Sequence, residues 1–264
     1  MSQAPVICSL DERGVATVTF NRPEVNNAYN GDLIGGVLAA IDELSSAKGL
    51  RAVVLRGEGR HFQAGADLAW INRVRPQSPE ANLAASRRTF EAVQRLNTLK
   101  VPTVALVQGA CFGGGTGIIA ACDVVVAADN ALFSITEVRW GLTAAIIIPQ
   151  LVDAIGARQL RRYALTGERF GAVDACRIGL VHEVVPLADL AAAGERVLAL
   201  LLANGPVALG ETKQQILSLV TGGQDAADPS WVPVIAAHAA KRQTAEAAEG
   251  LASFAEKRDA RWSL

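Results

Sequence analysis

A chain of 264 residues, half of them hydrophobic, can bury a sizeable core as one large domain or a domain with an appendage, which excludes a disordered polypeptide. Its formal net charge is −1, with Arg and Lys scattered among acids, so the basic footprint of a nucleic-acid binder is missing. Mean hydropathy is positive, yet Asp123, Pro149 and Asp153 break the most apolar stretches before they reach the length of a membrane span; an oligomer that hides apolar surface is the expected reason.

Met1 to Leu10 carries no basic stretch leading into a long apolar core, so neither a secretory signal nor a transit peptide is expected, and the cytoplasm is the default compartment. Cys8, Cys111, Cys122 and Cys176 have no metal-type spacing and read as buried free thiols.

In chain order, Val6 to Leu10 and Val15 to Phe20 read as strands around Asp11-Glu12-Arg13-Gly14, whose residue types suit a hairpin loop. Asn30 can cap a helix through about Ala47, with Leu33, Val37, Ile41 and Leu44 on one face. A short buried strand follows at Ala52 to Leu55, then a helix at about Pro79 to Leu99 and a strand at Thr103 to Val107. A short helix starts near Gly114, ahead of a strand at Val124 to Ala127; this alternation indicates an α/β fold. After about Pro186 the strands stop, and helices are expected at Leu187 to Ala203, Pro206 to Val220, Trp231 to Ala247 and Glu249 to Lys257. Thr221 to Pro229 is the best loop candidate among them.

Two glycine-rich turns stand out: His61-Phe62-Gln63-Ala64-Gly65-Ala66-Asp67-Leu68 and Cys111-Phe112-Gly113-Gly114-Gly115. Each has small residues at a strand exit, so a ligand could approach the main chain at two places, the second at the positive end of a helix. Two such turns can aim two N–H groups at one developing oxyanion, although the glycine triplet alone is equally well a tight turn where a helix packs on a strand. Other chemistries lose support. Gly113, Gly115 and Gly117 miss the dinucleotide pattern because Ile118 stands where the last glycine belongs, and no Walker lysine follows. No serine lies in a nucleophile elbow, His182-Glu183 lacks a second histidine one turn on, and His61, His182 and His238 are too dispersed for a metal site.

The segments Asn21 to Ala28, Phe62 to Leu68, Gly113 to Asp123, Thr136 to Leu142 and Glu249 to Arg258, in this order and nearly end to end, resemble the crotonase (enoyl-CoA hydratase/isomerase) superfamily. The resemblance implies a spiral of ββα units, here about 1–190, carrying an acyl-CoA site, followed by a helical trimerisation region at about 191–264. It also implies a trimer or a dimer of trimers. Carried over by position, the backbone N–H groups of Ala66 and Gly114 would form the oxyanion hole, flanked by Gly113. Main chain around Ala64 to Leu68, including Asp67, would line the adenine pocket, and Phe254 and Lys257 would touch the coenzyme A of a neighbouring subunit. Taken alone, Lys257 reads as a solvated helix charge and Phe254 as a core residue.

Glu137 matches the family's second catalytic glutamate, beside the α and γ carbons of the acyl group; its plain reading is a capping acid or an ion pair with Arg139. An apolar acyl pocket would raise its pKa, which suits a group that takes and gives a proton near neutrality. The chain departs from the two-acid pattern at Gly117, where hydratases carry their first glutamate, and the gap is expected to leave room for a bulky C3 substituent or a water. Leu142 to Pro149 is unusually apolar, as a reshaped acyl pocket or the start of a buried helix.

Phe112 to Asp123 and Ser134 to Pro149 look most like bacterial hydratases of branched glutaconyl-CoA thioesters, of the methylglutaconyl and isohexenylglutaconyl type in leucine and acyclic terpene degradation. Hydration of such a substrate is therefore expected, with coenzyme A as part of the substrate and no separate cofactor or metal. The rival activity is Δ3,Δ2-enoyl-CoA isomerisation, for which one glutamate suffices. A non-catalytic acyl-CoA-binding protein is the rival from another class, and an RNA-binding role finds no basic stripe to support it. Whether Arg139 or another Arg pairs with a substrate carboxylate stays open.

Overall fold

The computed structural model describes residues 4–220 and 232–258. The N-terminal hairpin forms as expected: β1 (Val6–Leu10) pairs antiparallel with β2 (Val15–Phe20), and the Asp11 carboxylate accepts from the N–H groups of Arg13 and Val15, both at 2.9 Å, to close the turn. The Asn30 side chain accepts from Leu33 N at 2.9 Å and starts α1 (Gly31–Ser46), which buries Leu33, Val37, Ile41 and Leu44 together.

Beyond α1 the chain builds two sheets in alternation. The long strands β3 (Ala52–Gly57), β4 (Thr103–Val107) and β6 (Val124–Ala128) each pair parallel with the one before, and β2 and β9 (Glu183–Val185) flank them in the order β1-β2-β3-β4-β6-β9. Directly after β4 comes the short strand β5 (Ala110–Phe112), and directly after β6 comes β7 (Leu132–Ser134); with β8 (Phe170–Gly171) they make a second sheet in the order β5-β7-β8. Gln63, after β3, bridges Cys111 and extends this small sheet by one rung. Each turn of the spiral thus gives a long strand to one sheet and a short one to the other, and the glycine-rich turns lie where the chain leaves the small sheet.

Side-chain alternation explains why the large sheet is covered on both faces. Ala16, Val18, Phe20, Val53, Leu55, Ala105, Val107, Val125 and Ala127 point into the main core, which α1 and α3 (Pro79–Asn97) share. Val15, Ala52, Val54, Val104 and Val126, one residue out of step, point to the other face and meet α7 (Leu190–Leu202). The boundary expected at 190 therefore falls just ahead of a helix that is itself a layer of the core. After α7, α8 (Pro206–Val220) has the expected bounds. Its buried Lys213 donates to Asp123 at 2.8 Å and to Val101 O at 3.2 Å, fastening it to the sheet end.

The remaining differences have local causes. The helix expected through Ala247 stops as α9 (Val232–Arg242), because the Thr244 side chain accepts from Ala247 N at 3.1 Å and starts α10 (Ala245–Ala255) afresh. The first tail helix opens as a 3-10 turn at Leu187–Asp189. The short helix α4 (Gly114–Ala120) starts where expected; unforeseen are α2 (Leu68–Val74), α5 (Ile148–Thr166), α6 (Ala172–Arg177), β9 and the short strands of the small sheet. The loop expected at 221–229 lies outside the described residues. Among the described residues no single helix is long and apolar enough to cross a membrane.

Candidate active site

The two glycine-rich turns meet at one place. Gln63 N donates to Ala110 O at 3.1 Å and Phe112 N to Gln63 O at 2.9 Å, so the first turn is clamped to β5, which leads into the second. Tyr29 bridges the first turn from the other side, with Tyr29 N on Gly65 O and Asp67 N on Tyr29 O, both at 2.8 Å. These two bonds flank Ala66, and backbone N–H groups alternate in direction along an extended segment, so the Ala66 N–H points away from Tyr29. Gly114 opens α4, and its N–H has no acceptor inside the helix. Ala66 and Gly114 line the same cavity, of about 620 Å³, together with Glu137.

Gly113 joins the parts. Its N–H donates to Ser134 O at 2.8 Å, which ties the turn to the end of β7 and brings the 3-10 segment Glu137–Trp140 against it. Its φ of +49° suits glycine, and a Cβ there would lie 3.0 Å from Glu137 Oε1, so the residue also makes room for the acid. A Cβ on Gly114 would meet Tyr29 Cε1 at 2.6 Å, which sets the phenol ring directly over the helix start.

Glu137 is neither a capping acid nor an ion pair: among the described residues it forms no salt bridge with Arg139, and its Oε2 is out of solvent contact without a hydrogen-bond partner. Loss of solvation pushes its pKa up to about 7, opposed only by its own backbone N–H. Desolvation and the nearby Glu137 charge likewise raise the Tyr29 phenol. Asp67 serves the scaffold: its carboxylate caps α2 through Ala69 and Trp70 N–H and holds Arg22 at 3.0 Å, and these bonds outweigh the cost of burial and keep its pKa below the usual range.

Other expected site residues divide. Ala64, Asp67, Leu68 and Gly113 line the cavity, and so does Phe254, whose ring meets Trp140 edge to face at 4.4 Å between centroids. Lys257 is exposed past the end of α10, away from the cavity lining. Gly117 leaves no room for a substituent or a water, because a Cβ there would meet Ile147 Cγ2 at 2.1 Å: the branched side chain ahead of α5 fills the place. The apolar stretch after Leu142 is both things expected of it, since Leu142, Ala144, Ile146 and Ile147 line the cavity and α5 starts at Ile148.

Missing from the sequence reading are Tyr29, Trp70, His238 and Arg242. Tyr29 meets Trp70 edge to face at 5.9 Å, and both aromatics stand by the first turn. The available signal was a polar stripe, Asn82, Ser86 and Thr89, at helical spacing on the otherwise packed face of α3.

The two-sheet spiral with its covering helices is the crotonase fold. The sequence pattern of the enoyl-CoA hydratase/isomerase family matches residues 11–263, and the chain belongs to that family. It is 35% identical over 205 residues to the hydroxycinnamoyl-CoA hydratase-lyase of Pseudomonas fluorescens, covering 76% of this chain and 74% of that one. It is 31% identical over 258 residues to the mitochondrial Δ(3,5)-Δ(2,4)-dienoyl-CoA isomerase of Dictyostelium discoideum, covering 94% and 87%. The crystal structure of an enoyl-CoA hydratase/isomerase from Xanthobacter autotrophicus Py2 superimposes with a TM-score of 0.87 at 28% identity, over 100% of both chains.

Proposed function

We propose that the protein is an enoyl-CoA hydratase that adds water across the 2,3 double bond of a branched, 3-substituted glutaconyl-type thioester. The observation that carries the reading is the pairing, in one cavity, of two main-chain donors at Ala66 and Gly114 with the desolvated Glu137. The two amides polarise the thioester carbonyl and hold the enolate oxygen. Glu137, ionised, takes a proton from water as the oxygen bonds to C3; the π electrons move to the enolate, and the carboxyl returns a proton to C2. Coenzyme A enters as part of the substrate, bound along Ala64 to Leu68 and touched by Phe254 and Lys257 of a neighbouring copy of the chain. The working form is a cytoplasmic homotrimer or dimer of trimers.

One observation favours a second reading. Ile147 occupies the position beside Gly117, and Asp67 is committed to Arg22 and α2, so Glu137 is the acid left for chemistry among those lining the cavity. A single carboxylate suffices for Δ3,Δ2-enoyl-CoA isomerisation, which carries one proton between C2 and C4 and needs no water. Incubating the protein with 3-methylglutaconyl-CoA and, separately, with a 3-enoyl-CoA decides between them. Loss of the conjugated-thioester absorbance with a hydrated product supports hydration. Its appearance from the 3-enoyl substrate, with no hydrated product from the first, overturns it.

A further inference from the structure

Arg242, the last residue of α9, is 2% exposed. Its hydrogen bonds run from Nη2 alone, to the carbonyl oxygen of Asn82 and to Ser86 Oγ on α3, while Nε is buried without a partner. Among the described residues no carboxylate pairs with it. A guanidinium taken out of water without a counter-ion is costly, and the cost is not recovered by one carbonyl and one hydroxyl.

The charge faces the cavity that holds Glu137. Arg242 and His238 both line it, and Tyr29 feels the two charges at once, with Glu137 raising its pKa and Arg242 lowering it. His238 adds no second cation: desolvation first, then Arg242, brings its pKa down to about 3. Ser86 Oγ accepts from Arg242 and lies 2.9 Å from His238 Nδ1, so one hydroxyl ties the neutral imidazole and the guanidinium together. Arg139 and Arg169, the other arginines on the lining, are exposed.

We infer that Arg242, with Tyr29 on the lining of the same cavity, binds a carboxylate carried by the acyl chain at the end remote from the thioester. The inference rests on the acyl-CoA reading above and names the group that would select its substrate. A planar guanidinium offers paired donors to a carboxylate, and in a water-poor cavity the missing counter-ion is supplied by the ligand itself. Asn82 and Ser86 hold the fork from behind, and α3 and α9 keep it away from water.

The test compares glutaryl-CoA with pentanoyl-CoA, two saturated, unreactive thioesters of equal chain length that end in a carboxylate and a methyl group. By titration calorimetry the wild type is expected to bind glutaryl-CoA at least about tenfold more tightly. Arg242→Met is expected to lose that preference while binding pentanoyl-CoA as before, and Tyr29→Phe to lose part of it. Arg242→Lys, which keeps the charge in the same fold, is expected to retain part of the preference and serves if the Met variant does not fold. Equal binding of both thioesters by the wild type overturns the assignment and leaves the hydratase reading standing, as does a preference that persists in folded Arg242→Met. Failure of both thioesters to bind removes the acyl-CoA reading and this inference with it.

Discussion

In the proposed mechanism Glu137 couples activity and stability through one proton. Its pKa of about 7 lies above the ordinary carboxyl value of 4.5, so the folded state holds this proton more tightly than the unfolded chain. Stability from this group is therefore complete below pH 4.5 and declines as pH rises through 7, by about 3 kcal/mol in all. Glu137→Gln, which carries no charge at any pH, should be the more stable protein at pH 8 and lose that advantage at pH 4.5; urea titrations at the two pH values measure it. The same variant should lower kcat by roughly 10²- to 10⁴-fold while binding of a saturated acyl-CoA persists. For hydration, which needs the ionised form, wild-type kcat/KM should climb through about pH 7, a limb absent from the variant. Ala66, Gly114 and Glu137, expected from the resemblance and the two glycine-rich turns, line one cavity, because each lies in or beside a local turn that a sequence motif can mark. The place of Arg242 was not legible, since its burial at the cavity depends on α9 lying along α3, and a lone arginine at a helix end reads as solvated.

At the scale of elements, five strands of the large sheet and α1 were legible because their patterns are strong, alternating apolar residues on both faces and a capping Asn30 ahead of a buried stripe, whereas the three-residue β9 was not. Replacing Asn30 by Ala removes an acceptor for Leu33 N and should cost about 1 kcal/mol, read as a lower denaturant midpoint with an unchanged slope. The strands of the small sheet span only two or three residues each, too few for a period to show, and their pairing is set by the spiral rather than by local preference. Packing between α4 and the start of α5 was equally hidden. From sequence Gly117 is a vacancy; in the fold it is the floor under Ile147. Gly117→Glu alone should therefore add no second acid function and should lower the melting temperature, because the new side chain starts inside Ile147. Combined with Ile147→Gly, the glutamate gains space, and the double variant should recover stability relative to the single one. Thermal melts of the three proteins test the contact without reference to activity.

At the scale of the whole molecule, one chain supplies both amides, the acid and Arg242, and its own Phe254 closes on Trp140 at the cavity. The same chain leaves large apolar side chains uncovered on its C-terminal helices: Leu200 is 72%, Val207 70% and Ile216 55% exposed. Scattered apolar residues are ordinary on a surface, but here they fall on two consecutive helices, α7 and α8, in a protein whose resemblance implies a trimer. Light scattering should give a native mass of three or six times 27.6 kDa, and the melting temperature should rise with protein concentration, because association stabilises by mass action. Charging the surface with Leu200→Glu and Val207→Lys should reduce the mass to that of one chain and abolish the concentration dependence. Since both amides and Glu137, to which the proposed mechanism gives the chemistry, line the cavity of a single chain, kcat should then change little, while KM rises to the extent that a neighbour's Phe254 or Lys257 contributes to holding coenzyme A. A wild type that runs at 27.6 kDa at every concentration would refute the assembly, and a kcat that collapses on dissociation would place part of the chemistry on the neighbouring chain.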